Sequence, residues 1–95
     1  MELTGCDFTG AILRDANLSR SVAKYAKFAR ADLRGATLAH ANFKGADFTG
    51  AELTGADFTG AVLEGAIFTD AVGLDSARGL QQGFSGDSAT APSNN

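Results

Sequence analysis

Large apolar side chains recur at every fifth residue along most of the chain. Leu or Phe stands at 3, 8, 13, 18, 28, 33, 38, 43, 48, 53, 58, 63 and 68, and only Ala23 departs from the series. Two residues ahead of each large residue stands a small one, nearly always Ala, with Met1, Cys6 and Ser21 as the exceptions. Two residues behind it comes Gly at 5, 10, 35, 45, 50, 55, 60 and 65. A period of five suits neither regular element. In an α-helix five residues advance roughly 500°, so successive large residues rotate off any one face. In a flat strand the side-chain period is two, and an odd repeat sends every second Leu or Phe to the opposite side. A chain that bends at each repeat keeps them all inward, and four sides of five residues then make a square coil.

That coil predicts a register of 20 residues, which the sequence supports. Positions 8, 28, 48 and 68 should stack, and all are Phe; positions 13, 33 and 53 should stack, and all are Leu. Stacked rings at the strand spacing of roughly 4.8 Å add attraction beyond area burial. The column 3, 23, 43, 63 holds the one small residue, Ala23, beneath the larger Phe43, which predicts a compensating exchange of volume. At the corners, a Gly two residues after the large one would sit third in a type II turn, where φ is positive. Asp15, Arg20, Tyr25, Arg30, His40 and Asp70 replace that Gly. Those corners are expected to be type I or irregular, and the stretch from 15 to 40 less regular than the rest.

With its run of Ala, then Asp or Asn, then Leu or Phe, then two variable residues over about residues 1–72, the chain resembles the pentapeptide repeat family. The resemblance implies an all-β fold, a right-handed quadrilateral β-helix, here of about 3.5 square coils at the strand spacing. It implies little about function.

Three segments follow: a β-solenoid over 1–72, a C-terminal cap over 73–84 and a disordered tail over 85–95. In the cap, Leu74, Leu80 and Phe84 are expected to fold over the last coil, with a helical turn starting near Asp75. The tail is small, polar and low in complexity. No cap precedes Met1, so the N-terminal end is expected to be open, to pair with a partner, or to continue into residues upstream of this chain. No basic region followed by an apolar stretch opens the chain, which predicts a cytoplasmic protein.

Composition changes this picture little. The 95 residues carry a net charge of −3, with 20% charged, a balance unlike that of a nucleic-acid binder. One Cys allows no internal disulfide. Cys6 falls in an inward slot and reads as a buried, inert thiol. Ser21 fills the same kind of slot, its hydroxyl expected on local backbone. His40 sits at an outward corner beside Arg20 and Gly60, with no nucleophile facing it. Asp32 and Glu52 are one coil apart, but on an outward side they read as solvated charges partly balanced by Arg34. No phosphate loop, metal set or catalytic constellation appears, so no enzyme, cofactor or small-molecule substrate is expected.

Charge does vary along the axis. Arg14, Arg20, Lys24, Lys27, Arg30, Arg34 and Lys44 crowd the stretch 14–44, while the residues after 45 are mainly acidic. The cations sit on all four corners as a belt, although Asp7, Lys27 and Asp47 should form a ladder of alternating sign. The candidate partner-binding surface is the corner of Lys24, Tyr25 and Lys44, because Tyr25 is the only outward aromatic residue in the repeats. The functional expectation is a non-enzymatic structural or protein-interaction module, with self-association through the N-terminal end as one mode, and with nucleic acid and membrane partners disfavoured. The alternative is a DNA-mimicking inhibitor or protector of DNA gyrase, which the resemblance brings in and the basic belt counts against. An ice-binding face is a weaker reading, since Ala29 interrupts the column of Thr9, Thr49 and Thr69.

Overall fold

The computed structural model describes residues 1–80; Phe84 and the expected tail lie outside the described residues. Its backbone is a ladder of single-residue parallel bridges. Glu2 pairs with Val22, Val22 with Asn42 and Asn42 with Val62, and the same step of 20 joins Asp7, Lys27, Asp47 and Ile67. The bridging residue is the one before each large side chain. Its N–H donates to the coil below, as Lys27 does to the Cys6 carbonyl at 2.8 Å. The N–H of the large residue donates to the coil above, as Phe28 does to the Asp47 carbonyl at 2.7 Å. Each side of the inner coils is thus pinned from both neighbours.

A turn follows every side. The carbonyl of the large residue accepts from the N–H three positions on, as in Ala46 to Phe43 at 2.9 Å. The third turn residue has positive φ throughout, Gly or not. Asp15, Arg20, Tyr25, Arg30, His40 and Asp70 adopt φ values of 56 to 63°, so the expectation of type I or irregular corners is wrong. The reason, at the five of these corners from Asp15 to His40, is that the corner N–H is itself part of the ladder. Tyr25 N–H donates to the Lys44 carbonyl at 2.8 Å, Arg30 to Thr49 at 2.7 Å and His40 to Thr59 at 2.8 Å. Those bonds and the inward sides overrule the local preference of an L-residue, at a cost of roughly 1–2 kcal/mol each.

The core is two interlocked sets of rings. Phe8, Phe28, Phe48 and Phe68 stack with centroids 5.0–5.1 Å apart and near-parallel planes. Phe43 meets Phe28 and Phe48 edge-on at 5.8 and 5.5 Å, and Phe58 meets Phe48 and Phe68 edge-on at 5.7 and 6.0 Å. Ala23 is fully buried on the coil below Phe43, as the volume exchange requires. Leu33, Leu38 and Leu53 fill the remaining columns and are fully buried.

Three local expectations change. Cys6 is only partly buried, whereas Ala26, Ala46 and Ala66 in the same column are fully buried. Ser21 is buried, yet its Oγ has no hydrogen-bond partner; the ladder already engages the backbone on which the hydroxyl was expected, with Ser21 N–H on the Leu18 carbonyl and the Ser21 carbonyl on Asn42 N–H. At the other end the turn begins at Gly73 rather than Asp75, and Gly73 C=O accepts from Ser76 and Ala77 N–H at 3.1 and 3.2 Å. Leu74, Ala77 and Leu80 pack against the core. The turn absorbs one extra residue, so Arg78 rather than residue 77 pairs with Asp57.

Candidate interaction site

The register brings Lys24, Tyr25 and Lys44 to one corner. Tyr25 is 58% exposed, Lys44 is exposed and Lys24 half-buried. The Tyr25 ring lies along Gly45 of the next coil, where an added Cβ would come within 2.6 Å of ring carbons Cδ1 and Cε1. One ring face therefore has a backbone floor and the other meets solvent. The same device recurs at other non-glycine corners. His40 lies against Gly60, Arg30 against Gly50 and Asp15 against Gly35. A long corner residue on one coil is accommodated by the missing side chain on the next. This coupling was not anticipated, although the signal was present: each of the four has Gly 20 residues later.

The outward Asp and Asn residues have a local task. Asp7, Asn17, Asp32, Asn42, Asp47 and Asp57 each accept from the N–H two residues on, at 2.9–3.3 Å. This satisfies the first corner N–H, which the ladder leaves free, by the usual Asx geometry. At Asp57 the Thr59 hydroxyl adds a second bond at 2.6 Å, and together they hold the carboxyl below its ordinary range.

Asp32 is bound more tightly. Arg34 grips it with two guanidinium bonds of 2.9 Å, and Arg14 adds Nε at 3.0 Å from the coil below. The Arg34 side-chain bond is the largest cause of a pKa far below the carboxylate norm, and the same contact raises Arg34. Asp32 and Glu52 are bridged neighbours as expected, but two guanidinium groups keep Asp32 ionised, and Arg14 was the partner that sequence reading missed.

This clamp divides the basic belt. Among the described residues, Arg14 and Arg34 form ion pairs with Asp32, whereas Arg20, Lys24, Lys27, Arg30 and Lys44 form none within 4 Å. The ladder Asp7, Lys27, Asp47 is in register, but it is one of attraction at a distance. His40 is exposed and faces Gly60. Among the described residues no cluster of His, Cys, Asp and Glu could hold a metal ion, and no helix is long and apolar enough to cross a membrane.

The comparisons agree with this geometry. The profile of the pentapeptide repeats matches residues 2–38 and 31–70, in 8 copies. The chain belongs to the pentapeptide repeat family, whose members fold as right-handed quadrilateral β-helices and are generally structural or interaction modules rather than enzymes. Among solved structures, it is similar to the pentapeptide repeat protein Rfr23 from the cyanobacterium Cyanothece 51142, with 28% identity, a TM-score of 0.79 and coverage of 81% of this chain and 52% of that one. It is also similar to a pentapeptide repeat protein of Nostoc PCC 7120, with 35% identity, a TM-score of 0.51 and coverage of 79% and 65%. A third, from the thylakoid lumen of Arabidopsis thaliana, shows 30% identity, a TM-score of 0.53 and coverage of 74% and 66%. The chain thus spans between half and two-thirds of the length of these relatives. Among curated proteins none matches the sequence.

Proposed function

We propose that this chain is a non-enzymatic interaction module, a stack of about 3.5 coils at the strand spacing, which presents the corner of Lys24, Tyr25 and Lys44 to a protein partner. The observation that carries the reading is where the strain lies. Five of the six non-glycine corners with positive φ fall between 15 and 40, and all five side chains are exposed. Backbone strain of roughly 1–3 kcal/mol per residue tends to gather where a surface is used. Glycine at those corners would fold with less strain, so the long side chains are better explained by what they present outward. Self-association through the N-terminal end is a second mode within the same reading; Met1 is 69% exposed there, and Leu3, Phe8 and Leu13 are only partly buried.

The test is a photo-crosslinking residue at Tyr25 and, separately, at Thr54 on another corner, with light scattering at several concentrations to separate self-association. Crosslinks to one discrete protein species from Tyr25 but not from Thr54 support the corner. Equal yields from both positions would sink it. Gyrase supercoiling is expected to be unaffected, since the basic surface around Tyr25 is unlike the acidic rod that a DNA mimic needs.

A further inference from the structure

We propose that the contact surface is a strip, running from Lys24 to Arg30 with Lys44 on the coil above, that docks an acidic, extended segment of a protein partner. The inference rests on the reading of the Tyr25 corner as a contact site and names the chemistry of what it contacts. Along the sequence the cations form a belt on all four corners. In the structure that belt is unequal, because Arg14 and Arg34 are engaged by Asp32 at 2.9–3.0 Å. The cations on and beside the side that runs from Tyr25 to Arg30 have no such partner among the described residues. Lys24 and Lys44 lie one coil apart, joined through the Tyr25 N–H on the Lys44 carbonyl. Like charges at roughly the strand spacing repel, and an incoming carboxylate between them removes that repulsion.

The occupant follows from what surrounds the strip. Lys27 pairs in register with Asp7 below and Asp47 above. Those two carboxylates oppose a phosphate backbone, which brings continuous negative charge and favours a broad positive track. A single carboxylate on a flexible side chain can approach Lys27 without covering either Asp. From Lys24 to Arg30 the chain spans at most about 20 Å, the reach of about six extended residues. Tyr25 adds a hydroxyl donor and an open ring face beside the lysines, as peptide contacts commonly use. The proposal is therefore a short acidic peptide lying across the coil that carries Lys24 to Arg30, not a nucleic acid running along the axis.

The experiment uses the full chain and a built-in reporter. Tyr25 is the only Tyr, and Trp is absent, so tyrosine fluorescence reads this corner alone. The probe is a decaglutamate peptide, titrated at low and at physiological salt. A saturable change in fluorescence is expected at low salt, weakened by added salt. The double variants Lys24→Ala with Lys44→Ala, and Lys27→Ala with Arg30→Ala, should each weaken binding about tenfold, the upper range for two exposed ion pairs. Arg14→Ala with Arg34→Ala should stay within about twofold of the parent. The proposal is overturned by the absence of saturable binding at low salt. It is equally overturned if the Arg14 and Arg34 variant loses as much affinity, or if an oligothymidylate of ten residues binds more tightly than the peptide. Selective crosslinking at Tyr25 without decaglutamate binding would sink the acidic partner alone; failure of both would sink the corner as well.

Discussion

The chain between 14 and 44 and the chain between 45 and 70 have the same backbone and differ in how they decorate it. In the later stretch the corners are Gly45, Gly50, Gly55, Gly60 and Gly65, with Asp70 as the exception, and φ lies between 58 and 73°. In the earlier stretch Asp15, Arg20, Tyr25, Arg30 and His40 hold the same conformation. The two stretches are not independent. Tyr25, Arg30 and His40 lean on Gly45, Gly50 and Gly60 of the later stretch. The glycine-cornered coil works as a floor on which the coil below displays its side chains. Regularity in one coil makes variety in its neighbour possible.

The strongest way to break this comparison is to remove what both regions share. Phe48 is fully buried and touches Phe28, Phe43, Phe58 and Phe68. Phe48→Ala should cost about 3–5 kcal/mol, read by urea unfolding, and a chain of this size then has little stability left. An unchanged midpoint would mean that the ring column is not the core.

The floor is tested next. Gly55→Ala meets nothing nearer than 3.8 Å and should cost only its φ, about 1–2 kcal/mol. Gly45→Ala should cost more, because its Cβ displaces the Tyr25 ring, and tyrosine fluorescence should change with it. Equal costs and unchanged fluorescence would show that Tyr25 does not lie on Gly45. In the opposite direction, Arg30→Gly relieves a positive φ of 56° and should raise stability by up to about 1 kcal/mol, since the flexible unfolded chain offsets part of the gain. Loss of stability there would mean that the non-glycine corners carry no strain. Ser21→Ala removes an unpartnered buried hydroxyl and should stabilise by about 1 kcal/mol, the low end of the cost of leaving such a group unpaired.

The smallest effect separates the clamped from the unpaired cations. Asp32 is depressed in the folded state, so its contribution is complete above its unfolded value of about 3.9 and is lost as pH falls through the lower folded value. Asp32→Asn should therefore lower the thermal midpoint slightly at pH 7, and the difference from the parent should shrink as the pH falls below about 3.9. A difference that persists undiminished into strong acid would mean that Asp32 acts through shape rather than charge.

Much of this was legible in the sequence. The period of five, the 20-residue register, the Phe column and the volume exchange at Ala23 all follow from side chains whose burial is decided by size and spacing. The grouping of Lys24, Tyr25 and Lys44 followed from the same register. The corner conformation did not follow, because propensity is local while the corner N–H bonds belong to the next coil. Tyr25 and Arg30 by themselves favour negative φ, yet Lys44 and Thr49 carbonyls hold them otherwise. Nor did the division of the belt, since a run of Arg and Lys does not say which cation a carboxylate will hold. Asp32 meets Arg14 across one coil and Arg34 within its own corner. That is a matter of a few ångströms, decided by how the coils stack. Period and register come from the chain alone, because each repeat must bury the same face. Strain, pairing and the open side of the molecule come from contacts between coils, which only the assembled stack brings about.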